Sequence, residues 1–433
     1  MERPRRIALV DANSFYCSAE RIFRPDLEHV PLVVLSNNDG CVVARDHLVK
    51  AMGIPMAVPW HEVKDQAQAH GIVAFSSNYT LYGDISRRFM SVLGQYVPPD
   101  DQEVYSIDES FLDFTDQPRV DLTATGQDIK QRVRQWVGLP VCVGFGSSRT
   151  LAKLANRIAK KDSAWNGVCD LTVLPAARLE ELMATVEVGD VWGVGRRMAA
   201  QLIAQGIATA ADLRAADPRR IRDRFTVVLE RTVRELQGIA CTDLETTPPA
   251  KQQIISSRAF GAPVFQLQEL MEPLHTHTCR AAEKLRQQGS VAGAIGVWIQ
   301  TNIFRPQDPQ YLPQRTLRLP EPTDDSAWLC AWASAVLRTV YKPGFRYVKA
   351  GVMLLDIQER SVKQGQLFDI APPEQDARRA RLMQTMDKAN AKWGRGAMGI
   401  GHAGIKGERR WAMHRQNLSP RYTTCWDELR VVS

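Results

Sequence analysis

The strongest constraint on the fold is the placement of three acids against runs of strand character. A short apolar run, Ile7 to Val10, is closed by Asp11, and far downstream Asp108 and Glu109 lie between Glu103 to Ile107 and Phe111 to Phe114. Behind the first run, Ser14 to Phe23 has helical spacing, with Phe15, Ala19, Ile22 and Phe23 on one face. A helix is expected from about Tyr79 to Tyr96 and another from about Asp128 to Val137, followed by a strand at Val141 to Phe145. Leu32 to Leu35 and Cys41 to Ala44 form a further hairpin around Ser36-Asn37-Asn38-Asp39-Gly40, a cluster of turn-tolerant residues.

With that inserted segment in the 30s to 70s set aside, the order is β-α-β-β-α-β, the ferredoxin-like supersecondary unit. In such a sheet Asp11, at the end of the first strand, meets Asp108 and Glu109, at the central hairpin turn, along one edge. Three crowded carboxylates repel one another. Magnesium relieves that repulsion, because it prefers hard oxygen ligands and commonly takes a few protein carboxylates together with substrate phosphates. Two such ions suit an in-line phosphoryl transfer, activating the attacking hydroxyl and stabilising the departing pyrophosphate.

The chain has 433 residues, 44% hydrophobic and 24% charged, which excludes a mainly disordered or fibrous protein and predicts several domains. Asp11 interrupts the N-terminal apolar run too early for a signal peptide or a membrane span, so an intracellular, cytoplasmic protein is expected. Eight scattered cysteines with no C-x-x-C pair read as reduced, mostly buried thiols rather than zinc ligands or disulfides.

From about Leu171 to Gly238 the pattern is all-helical, and Thr242 to Lys251, with two prolines, reads as a linker. Beyond it, strand-like runs at Gln253 to Phe260, Ala294 to Ile303, Gln314 to Leu319 and Tyr347 to Ile357 alternate with helical stretches near 267–288 and 325–340, an independent α+β domain. Past Arg360 the pattern weakens, and six glycines between Gly394 and Gly407 predict a loop-rich or partly disordered appendage. From Asp376 to Ser433 there are 12 Lys+Arg against 5 Asp+Glu, an excess equal to the whole net charge of +7. Such a tail suits a polyanion or a partner protein, and equally a plain solubilising role.

The letters around the acids are more specific than their positions. Val10-Asp-Ala-Asn-Ser-Phe-Tyr16 and Tyr105-Ser-Ile-Asp-Glu-Ser-Phe111 together resemble the two palm motifs of the Y-family translesion DNA polymerases. Ser36-Asn-Asn-Asp-Gly-Cys-Val-Val-Ala-Arg45 is similar to the UmuC type within that family, and the resemblance runs from about Ile7 to Phe368. It implies a multidomain α+β fold: a ferredoxin-like palm (1–23 and 79–170), small fingers (24–78), an all-helical thumb with a helix-hairpin-helix (171–241), a linker (242–252), an α+β little finger (253–358) and a C-terminal region (359–433).

The same resemblance implies site residues. Asp11, Asp108 and Glu109 would be catalytic and bind two Mg2+ ions, for which Mn2+ can substitute, with the carbonyl of Ala12 as a further ligand. Tyr16, five residues beyond Asp11, would be the steric gate against a ribose 2′-hydroxyl, beside Phe15, which also has the character of a core aromatic. Lys160 would hold the incoming triphosphate. Where relatives carry a fingers Tyr and Arg this sequence has His47 and Lys50, so only Lys50 keeps the charge.

DNA contacts are expected at Arg149, at Gly193 and Gly195 of the hydrophobic-Gly-x-Gly hairpin, and at Arg258 on an exposed little-finger sheet face with Ser256 and Ser257. Trp298 is expected in the core. Gln364, Leu367 and Phe368 of a Q-x-x-L-F string resemble a sliding-clamp peptide. Partners implied are primer-template DNA, deoxynucleoside triphosphates, a sliding clamp, a UmuD-type dimer and RecA. The function implied is error-prone extension past damaged template bases in the SOS response. A nucleotidyl cyclase also uses acids on such a palm but has no need of the helix-hairpin-helix or the added basic domain, and a non-catalytic adaptor would not need all three acids.

Overall fold

The computed structural model of the chain describes residues 4–246, 249–360, 373–394, 396–404 and 411–429. The chain divides into two compact units, one of Met1–Ser36, Gly40–Pro248 and Asn417–Ser433, the other of Asn37–Asp39 and Pro249–Gln416.

In the first unit the elements run β1 (Ile7–Ala12), α1 (Phe15–Arg21), β2 (Leu32–Leu35), β3 (Val42–Arg45), α2 (His47–Ala51), α3 (Trp60–Ala69), β4 (Val73–Ser76), α4 (Tyr79–Leu93), β5 (Gln102–Val104), β6 (Glu109–Asp113), α5 (Leu122–Trp136), β7 (Val141–Gly146), α6 (Arg149–Lys161) and β8 (Val168–Asp170). A five-stranded sheet has the order β5-β6-β1-β7-β8. Its first four strands are antiparallel neighbours in the ferredoxin-like arrangement, and β8 joins β7 in parallel. Ile7 to Val10 are all buried, which is why β1 reads as a continuous apolar run rather than an alternating one.

A separate three-stranded sheet, β3-β2-β4, holds the expected hairpin, with Val34 opposite Ala44. Its third strand was not legible: β4 is four residues long, too short for periodicity, and pairs with β2 in parallel.

The placement of α6 depends on two glycines in β7. A Cβ at Gly146 would lie 2.5 Å from Leu151 Cβ, and one at Gly144 would run into the Asn156 backbone nitrogen. Glycine at both positions lets the helix backbone rest directly on the sheet. Asn156 then stitches α6 to both central strands, its Nδ2 donating to Cys142 O (2.8 Å) and Leu9 O (3.3 Å).

After β8 come α7 (Ala176–Ala184), α8 (Arg196–Ile203), α9 (Ala210–Ala215), α10 (Pro218–Arg224) and α11 (Val227–Leu236), closing over a core that includes Met183, Val188, Leu202, Leu213 and Val233. This helical region is anchored to the start of α6. Ser148 Oγ donates to Glu235 O (2.8 Å), and buried Glu235 accepts from the Thr150 N–H (3.0 Å).

The second unit contains β9 (Ile254–Val264), α12 (Leu267–Gln287), β10 (Ser290–Thr301), β11 (Gln314–Thr323), α13 (Ser326–Val340), β12 (Tyr347–Glu359) and α14 (Pro373–Trp393). Its antiparallel sheet has the order β11-β10-β12-β9, with α12 and α13 packed on it around Leu274, Ile295, Leu337 and Val352.

The expected loop-rich appendage is corrected by α14. Arg286 of α12 grips Asp387 with two nitrogens at 2.7 Å, and Met383 and Met386 are buried. Sparse apolar residues among charged ones hid the helix, because only its inner face meets a partner. The tail tryptophans also part company: Trp393 is exposed, whereas Trp411 is buried beside His277.

Candidate active site

Asp11 and Glu109 are direct partners in the β1–β6 ladder, and the Ala12 N–H donates to Asp108 O at 2.9 Å. The three acids therefore share one sheet edge. Ser106 holds the turn between them: its Oγ donates to Asp108 Oδ1 (2.7 Å) and accepts from the Glu109 N–H (3.1 Å). This serine was missed, although a hydroxyl two residues before an acid at a turn is the signature of such a lock.

Each of two acids faces a lysine of α6. Lys160 Nζ lies 2.5 Å from Asp11 Oδ1, and Lys153 Nζ donates to both Glu109 oxygens at 3.0 and 3.3 Å. Lys153 also lies over the rings of Tyr105 (4.4 Å) and Trp192 (5.0 Å). Lys153, Arg157 and Lys160 follow i, i+4, i+7 spacing, so they share a helix face, and that pattern would have revealed Lys153 and Arg157. Burial pushes the Asp11 carboxyl up to about 6 against the pull of Lys160, and Glu109 and Asp108 add to the rise.

Among the described residues, no group of three His, Cys, Asp or Glu side chains stands ready-made around a metal ion. The donor chemistry nonetheless fits one. Asp11, Asp108 and Glu109 offer hard carboxylate oxygens from one edge, and Lys160 and Lys153 hold against two of them the positive charge that a divalent cation would supply.

Two clefts share Lys160. The larger, about 920 Å3, is lined by Asn13, Ser14, His47, Lys50 and Lys160, with Arg21, Lys130 and Arg134 adding positive charge. The smaller, about 310 Å3, is lined by Asp11, Glu109, Lys153, Arg157, Lys160 and Trp192. Lys50 Nζ donates to Ser14 Oγ at 3.3 Å, and Ser14 turns the chain into α1 through a left-handed conformation, φ 46°. Tyr16 stacks on Tyr82 with ring centroids 4.7 Å apart and planes 25° apart, and meets Tyr79 edge-on at 6.0 Å.

Several expectations are corrected. The Phe15 side chain is 3% exposed and belongs to the hydrophobic core, which leaves only its backbone to meet a nucleotide. Arg149, expected on DNA, is 5% exposed: it pairs with buried Glu103 at 2.6 Å and lies over the Phe111 ring at 4.7 Å. A buried Glu needs such a counter-charge, and α6 supplies it inward. Arg258 pairs with Ala350 in the ladder and Ser256 bonds His277 of α12 at 3.2 Å, so both fall on the helix-covered face. Ser257 takes the open face with Trp298, whose ring crowds Gly351. Trp298 is thus on the side opposite the core. Gly193 adopts φ 89°, as a tight hairpin requires, whereas Gly195 has ordinary backbone and open space around it. Gln364, Leu367 and Phe368 lie outside the described residues.

The fold is that of known polymerases of this class. A Y-family DNA polymerase chimera, Dbh-Dpo4(243-245)-Dbh, superposes with a TM-score of 0.63, covering 82% of this chain and 100% of that one at 18% identity. The model of the impB/mucB/samB family matches residues 10–157, that family's C-terminal domain matches 251–367, and a domain of unknown function matches 380–432. Protein UmuC of Salmonella typhimurium is 44% identical over 98% of this chain and 99% of its own length. MucB of Escherichia coli is 42% identical over 98% and 99%, and DNA polymerase IV 1 of Bacillus subtilis 25% identical over 90% and 91%. The chain belongs to the impB/mucB/samB family, the UmuC-type Y-family DNA polymerases.

Proposed function

We propose that the chain is a template-directed, error-prone DNA polymerase that extends primers past damaged template bases, acting in the SOS response. The observation that carries this reading is the shared edge of Asp11, Asp108 and Glu109, with Asp11 paired to Lys160, which borders both a basic cleft and the smaller cleft that Asp11 and Glu109 line. Family membership supports the same reading.

Polymerases of this family depend on divalent metals, and Mg2+ is the ion proposed here. Asp11, Asp108, Glu109 and the carbonyl of Ala12 would hold two ions, which supply activation of the primer 3′-hydroxyl and neutralisation of the departing pyrophosphate. The chain's own cations do the remaining electrostatic work. Lys160 and Lys50 line the larger cleft and would take the triphosphate, Lys160 giving up its contact with Asp11 for phosphate oxygens. Tyr16, braced by Tyr82, lies beneath the sugar and excludes a 2′-hydroxyl. Gly193 and Gly195 offer backbone to a DNA phosphate.

No helix among the described residues is long and apolar enough to cross a membrane. A UmuD-type dimer, RecA and a sliding clamp complete the working assembly, the clamp through Gln364, Leu367 and Phe368.

The test is primer extension across an abasic site, with the chain alone and then with those partners added. Asp108→Asn should lower insertion by roughly two to four orders of magnitude while DNA binding persists, as for a group acting on the transition state. Retained turnover in the variant would overturn the two-metal assignment.

A further inference from the structure

Within the first unit, Asn417–Tyr422 packs against β4, the start of α4 and α1, and reaches Glu20, whose other partner is Tyr82. Asn417 extends the small sheet: its carbonyl accepts from the Ser76 N–H (2.9 Å), and its own N–H donates to Ser76 Oγ (3.1 Å). Two residues on, Ser419 is buried. Its Oγ accepts from Asn78 Nδ2 (3.0 Å) and donates to Glu20 Oε1 (3.0 Å). Asn78 also donates to the carbonyls of Ser419 (3.1 Å) and Pro420 (3.3 Å) while its Oδ1 caps α4 by accepting from the Leu81 N–H. Tyr422 closes the segment, stacked on Phe23 of the palm at 4.6 Å.

Glu20 is the pivot. It is 0% exposed, and Oε1 accepts from both Ser419 and the hydroxyl of Tyr82 (2.6 Å), while Oε2 is buried without a hydrogen-bond partner. Tyr82 is also 0% exposed, and its ring is the surface on which Tyr16 stacks. A continuous chain of contacts therefore runs from Ser419 through Glu20 and Tyr82 to Tyr16. The Tyr82 hydroxyl lies on the axis about which its ring turns, so the hydrogen bond to Glu20 resists not that turn but any swing of the ring away from Glu20, and the ring stacked on Tyr82 is held in place with it.

We propose that the C-terminal segment Asn417–Tyr422 is a positioning element for sugar selection, with Ser419 and Glu20 holding Tyr82 so that Tyr16 stays beneath the incoming sugar. It rests on Tyr16 being the sugar gate. It assigns a task in the polymerase reaction to part of the matched domain of unknown function, and it needs no partner. Ser419, Glu20 and Tyr82 act through Tyr16 and touch no substrate.

The experiment is single-nucleotide insertion of dATP and of ATP by the full chain, in the assembly that supports synthesis, with kcat and KM resolved for each. Tyr16→Ala is measured first: an unchanged dATP/ATP ratio there removes the gate itself, independently of the tail. Given a gate, Ser419→Ala and Tyr82→Phe should each lower the ratio roughly three- to tenfold, the scale of one lost hydrogen bond, with dATP turnover changed less than about twofold. Ser419→Thr should restore the ratio. In the Tyr16→Ala background Ser419→Ala should have no further effect. A ratio unmoved by Ser419→Ala, or one lowered equally with and without Tyr16, overturns the proposal. Ser419→Cys, nearly isosteric, serves if the alanine variant does not fold.

Discussion

Lys160 and Asp11 form an ion pair across the edge of the palm sheet, Nζ to Oδ1, 2.5 Å. The lysine borders both clefts, and the acid is the residue at which β1 ends its buried run. The same ammonium that answers the Asp11 carboxylate also borders the larger cleft, where the proposed function puts the triphosphate.

Lys160→Met should raise the KM for deoxynucleoside triphosphate by about tenfold, as expected when a charge-assisted phosphate contact is lost. Steady-state insertion kinetics at saturating metal measure it, and an unchanged KM would confine Lys160 to holding Asp11.

Glu20 predicts a pH dependence of stability. Burial pushes its carboxyl up to about 7, against hydrogen bonds from Tyr82 and Ser419 and the nearby Arg24 charge, while an unfolded Glu titrates near 4.5. Cys17 and Tyr82 also face it, both held neutral by burial. Between those two values the folded chain binds more protons than the unfolded one, so this group's contribution is full below about pH 4.5 and is lost as pH rises through about 7. Glu20→Gln should remove that loss. The variant's advantage over the parent should grow from near zero at pH 4.5 to about 3 kcal/mol above pH 7, an upper figure from the size of the shift. Denaturant midpoints of both proteins across that range test it. Comparing the two cancels buried His277, whose pKa is lowered to about 3 and whose contribution rises with pH. A difference that does not vary with pH would mean that Glu20 is ionised throughout.

Arg149→Met should destabilise the first unit by roughly 3–5 kcal/mol, since it strands Glu103 as a buried charge. Adding Glu103→Gln should recover much of the loss. A stable Arg149→Met protein with weakened DNA affinity would instead return this residue to the DNA surface.

Changing Leu367 and Phe368 together to Ala should abolish stimulation by a sliding clamp and leave distributive insertion unchanged, because two apolar anchors worth roughly 1.5–3 kcal/mol each are removed from the docking peptide. Clamp pull-down and primer extension read the two effects, and retained capture would exclude the peptide.

Much of the fold was legible because its signals are local. Strand runs, helix spacing and the order of elements across residues 7–145 suffice for the ferredoxin-like sheet, and β-ladder geometry then forces Asp11 and Glu109 to be neighbours. The motif letters carried the family and, through it, Tyr16 and Lys160. The direction of a side chain in a packed structure is not a local property. Arg149 and Lys160 are both cations on α6, yet one turns inward to Glu103 and the other lines a cleft, a difference set by what each helix face meets. Arg258 and Ser257 are adjacent in sequence and end on opposite faces of a sheet whose covered side is chosen by α12. The contact between Ser419 and Glu20 joins residues 399 positions apart, and no periodicity, composition or motif can encode such a meeting. It exists because burying Tyr422 against Phe23 and pairing Asn417 with Ser76 bring the end of the chain back to the first helix.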